Sequence, residues 1–363
     1  MHASGTKKKL RSGYTTGACA AAAAKAAVLR LCGEPEPVSV EIPFPDGSRH
    51  RFALCRVSGD GASALATVVK DAGDDPDVTN GAEIGAQVRW LDATGPEPII
   101  LVNGPGVGLV TKPGLPVPVG QPAINPVPRQ MIQAAVLEAL AGSGHGCRTL
   151  EVQIFVRDGE ALAEKTLNRR LGVIGGLSIL GTTGIVRPVS AKAWTDTIEA
   201  SMQVARAMGL TEVILATGRT SETVVQGLLQ LPEEAQVMMG DYLHYALEAA
   251  QRHGFFRIHL AAMWAKLVKA ALAVPQTHVR NGALETRQAA ELLAALGLDA
   301  AAAAELRTAN TAREIYDRLK AQHRDDLIEA VCRRAKAQAE QWSGLPVQVY
   351  LVTSAEGVAH VTD

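Results

Sequence analysis

Three glycine-bearing turns and one acidic run hold the residue types in this sequence that are suited to chemistry. Gly181-Thr182-Thr183-Gly184 follows Ser178-Ile179-Leu180, Thr217-Gly218-Arg219-Thr220-Ser221-Glu222 follows Val213-Ile214-Leu215, and Gly240-Asp241 follows Val237-Met238-Met239. Glycine lets a backbone come close to a ligand, and a helix N-terminus offers free N–H groups to anionic oxygen. A ligand that carries a ribose also needs a carboxylate beside its diol, which Glu222 or Asp241 supplies. The spacing matches neither the dinucleotide fingerprint nor the P-loop. A weaker echo, Gly104-x-Gly106-x-Gly108, is followed too soon by Pro113, Pro116 and Pro118 to open a helix. Any one such turn is also explained as plain strand-to-helix capping. Their succession in one half of the chain favours a ligand site.

The acidic run is Lys70-Asp71-Ala72-Gly73-Asp74-Asp75-Pro76-Asp77. Carboxylates this dense suit a divalent cation, a general base or a clamp on a cationic group. Gly-Asp-Asp-Pro-Asp is equally good turn chemistry. Lys112, Arg129, Arg157, Arg169, Arg170, Arg187 and Arg219 lie in or beside glycine- and proline-rich loops. Guanidinium forks and ammonium groups that converge would suit a ligand with several carboxylates. No G-x-S-x-G elbow is present, and no metal-binding motif is found.

The elements that must position these residues fall into two patterns. Thr16-Gly17 opens an alanine-rich helix that runs to about Cys32, with Gly33 after it and Pro35 beyond. Strands are predicted over 38–44, 51–58, 63–70, 86–90 and 98–102, with a helix over 127–141 and a strand over 149–156. After about residue 160, apolar runs, the first over 171–180, alternate with helices, which predicts a parallel sheet covered on both faces. The expected fold combines α+β and α/β. Residues 1–160 form an α+β domain with glycine- and proline-rich substrate loops. Residues 161–363 form a Rossmann-like α/β domain with C-terminal helices and a return strand.

Composition narrows the function. The chain has 363 residues, 36 Lys+Arg against 37 Asp+Glu, and 4% aromatic residues. A nucleic-acid binder normally shows a basic excess, and single-strand binders need stacking aromatics. Cys19, Cys32, Cys55, Cys147 and Cys332 contain no C-x-x-C pair, which argues against a disulfide framework or structural zinc. The run from Ala18 to Leu31 is broken by Lys25 and Arg30 and is too short to span a membrane. A cytoplasmic enzyme that handles a small molecule is expected, without nucleic-acid or membrane partners.

Read together, several ordered segments resemble the cobalt-precorrin-5B (C(1))-methyltransferases of anaerobic cobalamin biosynthesis. They are Arg11-Ser12-Gly13-Tyr14-Thr15-Thr16-Gly17, Lys70 through Thr79, Gly106 through Leu115, and Ala123 through Arg129. Gly181 through Val186, Gly218 through Glu222 and Gly240-Asp241-Tyr242 continue the resemblance over roughly residues 10–285. Asn80 stands where the family usually has His, Arg169 where it has Pro, and Val279 where it tends to have Ser. Ala262 to Leu267 lacks the His and Gly of a His-Ile-Gly-Lys-Leu segment.

The resemblance implies methyl transfer from S-adenosylmethionine to ring carbon 1 of a cobalt-containing tetrapyrrole, giving cobalt-precorrin-6A. Cobalt would arrive with the substrate, so no protein-bound metal is expected. S-adenosylmethionine would lie over the parallel sheet at Gly181, Thr182, Thr183 and Gly184 and at Thr217, Gly218, Arg219 and Glu222, with Glu222 or Asp241 on its ribose. Thr15, Thr16, Lys70, Lys112, Arg129 and Arg170 would bind the macrocycle, and Asp71, Asp74 or Asp75 would assist proton movement. A homo-oligomer or transient contact with neighbouring pathway enzymes is compatible with the sequence. So are two rival functions, a nicotinamide-dependent oxidoreductase and a non-catalytic tetrapyrrole carrier.

Overall fold

A computed structural model describes residues 10–92, 98–141, 148–188, 190–277 and 286–363. His278, Val279 and Cys147 lie outside the described residues. The fold is mixed α/β. The chain divides into two compact units, Met1–Ser190 and Ala191–Asp363.

The first unit is built around the alanine helix, Thr16–Leu31. Thr15 caps it, its hydroxyl accepting from the Ala18 N–H at 3.2 Å. Ala20 to Ala24 are wholly buried, so the helix is enclosed on every side. Alanine suits this position because it has the highest helix propensity and the smallest side chain that keeps it. The helix packs against strands Ser63–Val69 and Glu83–Trp90 and against a second helix, Pro126–Leu140. Its one interior charge, Lys25, donates to the Glu41 carbonyl and to Glu138, both at 2.7 Å. That ties the helix to the hairpin formed by Ser39–Pro43 and Arg49–Ala53.

The main sheet of this unit has five strands, in the order Arg56–Gly59, Ser63–Val69, Glu83–Trp90, Leu150–Val156, Ile99–Asn103. Pairing is antiparallel except between the last two. Alternate residues such as Ile84, Ala86 and Val88 enter the core with the alanine helix.

The run 171–180 does not open the parallel sheet, as its apolar character suggested. It forms two short strands that turn back into the first unit. Val173–Ile174 pairs with Leu109–Val110, and Gly176–Leu177 pairs with Gly106–Val107. Ile185–Val186 then pairs antiparallel with Gly13–Tyr14. These long-range pairings set the division at 190, although the sequence pattern changes near 160.

The second unit holds a five-stranded sheet in the order Gln236–Met238, Glu212–Ala216, Arg257–Ala262, Val347–Thr353, Gly357–Val361. The first four strands are parallel and the last is antiparallel. Val213, Leu215, Ile258 and Leu260 face one core, with helices Ala191–Ala207, Leu243–Arg252, Trp264–Ala271 and Asp325–Ser343. Ile214, Ala216 and Ala261 face the opposite core, with Val225 of helix Arg219–Leu229. The predicted return strand is Val347–Thr353. Among the described residues, no helix is long and apolar enough to cross a membrane.

Candidate functional site

In the first unit, segments far apart in sequence interlock at the N-terminus of the alanine helix. The Tyr14 N–H donates to the Asp71 carbonyl at 2.7 Å, and the Asp74 N–H donates to the Arg11 carbonyl at 2.9 Å. The Arg11 N–H donates to Asp74 Oδ2 at 2.7 Å. On the other side, Thr15 N–H donates to the Gly184 carbonyl at 2.9 Å, and Gly17 N–H to the Leu180 carbonyl at 3.1 Å. Thr16 Oγ1 accepts from the Leu180 N–H at 2.8 Å and donates to its carbonyl. The two Thr-Thr-Gly triplets are thus neighbours in space. A Cβ on Gly181 would lie 2.5 Å from Thr15, and one on Gly17 would lie 2.7 Å from Pro128. Close approach is why both positions are glycine.

The Arg11 guanidinium grips Asp71, with Nη2 donating to Oδ1 at 2.8 Å and Nη1 donating to Oδ2. With the Gly73 N–H, it holds the Asp71 carboxyl down to about 2. A group so acidic is a poor proton acceptor near neutrality. Asp71 is therefore read as an anchor for the loop, which corrects its expected role as a base. Asp71 has a depressed pKa in the folded chain, so its contribution to stability is present above the ordinary carboxylate range and is lost as pH falls through about 2. In Arg11→Gln, carbon-13 NMR titration should move its midpoint from about 2 towards ~3.9. A midpoint left in place would remove the clamp.

Lys70 is also corrected. Its side chain is 1% exposed and its ammonium donates to Asp77 Oδ2 at 2.6 Å, so it cannot reach a macrocycle carboxylate. Thr15 and Thr16 are buried as well and act through the helix cap and the Leu180 contact. Asp74 is exposed, and Asp75 is partly so. Lys112 and Arg170 are brought together: Lys112 Nζ donates to the Arg170 carbonyl at 3.3 Å. Arg129 Nε donates to the Ile124 carbonyl at 3.1 Å, which holds the segment before helix Pro126–Leu140.

The expected cofactor turns divide between the units. Gly181 to Gly184 belongs to the first, where Thr182 and Thr183 are exposed and a Cβ on Gly184 would meet Phe44 at 2.4 Å. It does not lie at a strand end of the parallel sheet, because its strand pairs with Gly13–Tyr14 instead. Thr217 to Glu222 and Asp241 belong to the second unit. Thr217 N–H donates to the Ala261 carbonyl at 3.2 Å, which sets this turn at the carboxyl edge of the sheet. Around Gly218 a Cβ would meet nothing within 4 Å, and Arg219 is exposed. Glu222 is only 5% exposed, and its burial withdraws it as a ribose ligand. Asp241 Oδ1 accepts from Lys266 and, at 3.0 Å, from Thr277 Oγ1. Lys266 and Lys269 both donate to the Thr277 carbonyl, at 3.0 and 2.8 Å. Lys266, within the stretch that departs from the family pattern, thus shares the Thr277 carbonyl with Lys269 and also binds Asp241.

Sequence reasoning missed the clamp of Arg11 on Asp71 and did not single out His50. The His50 ring stands 3.3 Å from the Tyr14 hydroxyl. No local pattern announces a pairing between residues 14 and 50. Among the described residues, no group of three or more His, Cys, Asp or Glu is arranged to hold a metal ion.

The CbiD family model matches residues 3–188, and that of the CbiD C-terminal domain matches 276–362. The chain belongs to the CbiD family. A relative from Desulfotalea psychrophila, named cobalt-precorrin-5B C(1)-methyltransferase, is 57% identical over 98% of this chain and 98% of its own. One of the same name from Geobacter metallireducens is 49% identical over 95% of this chain and 96% of its own. A crystal structure of the cobalamin biosynthesis protein CbiD from Archaeoglobus fulgidus is 28% identical, covering 72% of this chain and 79% of that one, with a TM-score of 0.39.

Proposed function

We propose that this CbiD chain transfers a methyl group from S-adenosylmethionine to carbon 1 of cobalt-precorrin-5B, giving cobalt-precorrin-6A. The observation that carries this reading is near-full-length identity of 57% to a relative bearing that activity as its name. The interlocked junction supports it, because four of the segments that resemble the family meet there. The sulfonium is already a strong electrophile, so catalysis needs chiefly positioning. That agrees with a site made of turns and cations.

The second unit reads as a Rossmann-like domain. The chain leaves strand Glu212–Ala216 for helix Arg219–Leu229 on one face and leaves the neighbouring strand Arg257–Ala262 for helix Trp264–Ala271 on the other. Ligands favour the carboxyl edge at such a switch point. S-adenosylmethionine is assigned to the Thr217–Arg219 turn there, with Asp241 beside Lys266. Its residues suit the ligand in two ways. Gly218 leaves open space at a helix N-terminus. Trp194, 44% exposed, stacks with Tyr242 at 6.4 Å and presents an aromatic ring to an adenine. Lys112, Arg129 and Arg170 are assigned to macrocycle carboxylates.

Incubation with cobalt-precorrin-5B and methyl-labelled S-adenosylmethionine should add one labelled methyl group, read by mass spectrometry. A coloured complex without mass gain would instead make the protein a carrier.

A further inference from the structure

Tyr14 joins the junction through its backbone, which leaves its hydroxyl to a separate line of partners. That hydroxyl lies 3.3 Å from His50 Nδ1, His50 Nε2 lies 3.1 Å from Ser48 Oγ, and Ser48 Oγ lies 2.6 Å from Asp46 Oδ1. The bonding inventory fixes the direction. An ionised carboxylate only accepts, so Ser48 commits its one hydroxyl proton to Asp46. Ser48 Oγ must then accept from His50, which places the imidazole proton on Nε2. A neutral imidazole of that tautomer accepts at Nδ1, so Tyr14 donates. The chain of donors runs one way, from phenol to carboxylate. The Ser48 hydroxyl and N–H keep the Asp46 carboxyl below its usual range.

Packing holds this line in place. The Tyr14 ring stands 4.5 Å from Phe52 and 6.1 Å from Phe44, and the His50 ring 4.2 Å from Phe44, between centroids. The Tyr14 backbone is fixed on one side by the Asp71 carbonyl and on the other by pairing with Ile185. Tyr14 and His50 are each only partly buried, and Asp46 is exposed. The line therefore runs from the motif junction to water.

We propose that Tyr14 and His50 carry away the proton released by methyl transfer, an inference that rests on the methyltransferase reading. A ring carbon uses a π electron pair to form the new carbon–methyl bond. The sulfur–methyl bond breaks and its pair stays on sulfur as a neutral thioether. The macrocycle has then gained the charge of a methyl cation and must lose one proton. That proton passes to the Tyr14 oxygen as the phenolic proton moves to His50 Nδ1. The imidazolium releases its Nε2 proton to Ser48 Oγ, whose own proton leaves to water beside the exposed, ionised Asp46.

The test compares Tyr14→Phe, His50→Ala and His50→Gln with the parent enzyme in methyl-transfer kinetics. The expected result is a kcat about 100-fold lower in all three, with KM for both substrates nearly unchanged. Added imidazole should restore at least about tenfold to His50→Ala, which a purely structural role would not allow. His50→Gln keeps a donor and an acceptor but cannot take up the proton, so it separates folding from relay if the alanine variant misfolds. A near-parental kcat in Tyr14→Phe or His50→Gln overturns the relay, as does a loss confined to KM. A parent that transfers no methyl group overturns the methyltransferase reading itself.

Discussion

Lys70→Met should lower the stability of the first unit by about 2–3 kcal/mol, somewhat less than the cost of breaking a fully buried pair because Asp77 keeps some contact with water. The Lys70 side chain is 1% exposed and that of Asp77 25%. Burial alone would raise the Asp77 carboxyl. The Lys70 ammonium and the Thr79 hydroxyl and N–H, at 2.6 and 2.7 Å from Oδ1, outweigh it and leave the carboxyl lowered. The parent therefore keeps this contribution above the ordinary carboxylate range and loses it as pH falls. Without Lys70, burial is less opposed and the folded carboxyl moves upward. The deficit of the variant should then shrink as pH approaches ~4, where Asp77 takes up a proton. The double variant Lys70→Met, Asp77→Asn should recover much of the loss, because no charge remains unpaired. Urea unfolding at two pH values checks all three statements. A pH-independent deficit, or no recovery in the double variant, would show that packing of the lysine stem matters more than the charge.

Gly13→Ala should be at least as damaging, by about 3 kcal/mol, because the crowding is backbone against backbone. The new Cβ would lie 2.1 Å from the Ala72 carbonyl carbon and 2.4 Å from both the Asp71 oxygen and the Gly73 nitrogen. Neither partner is a flexible side-chain end, so the acidic loop must move away from the Arg-Ser-Gly-Tyr segment. Gly73→Ala attacks the same contact from the other side. Its φ of +69° is left-handed and its Cβ would stand 2.1 Å from the Arg11 carbonyl oxygen. Gly61 provides the control, with φ +85° and nothing within 4 Å. Alanine there should cost only backbone strain, about 1 kcal/mol. Hydrogen exchange at the Tyr14 and Asp74 amides should accelerate in Gly13→Ala and Gly73→Ala but not in Gly61→Ala. Equal protection in all three would mean that the interlock is not what holds the loop.

Some of the architecture was legible because its causes are local. Ala18 to Ala27 in near-unbroken succession could only be a helix, and Thr15 ahead of it supplied the cap. Val213-Ile214-Leu215 and Ile258 to Ala262 read as buried parallel strands because both faces are apolar. The candidate site was less legible, because its geometry depends on partners distant in sequence. The same apolar character that marked Leu171 to Leu180 for the parallel sheet fits its actual place, paired with 106–110. Lys70 looked like a ligand-binding cation, since burial of a lysine against Asp77 leaves no trace in spacing. Glu222 looked like a ribose ligand, since position in a helix's first turn does not say which way the side chain faces.

The sequence by itself determined the family and the order of the longer helices and strands, because local patterns and long motifs are written along the chain. Only tertiary structure decided which motifs meet. It brought the Arg-Ser-Gly-Tyr segment onto the acidic loop, set one Thr-Thr-Gly triplet against the other, and aligned Asp46, Ser48, His50 and Tyr14. The physical reason is range: hydrogen bonds and steric fits act over a few ångströms in space, and the folded backbone alone decides which distant residues come that close.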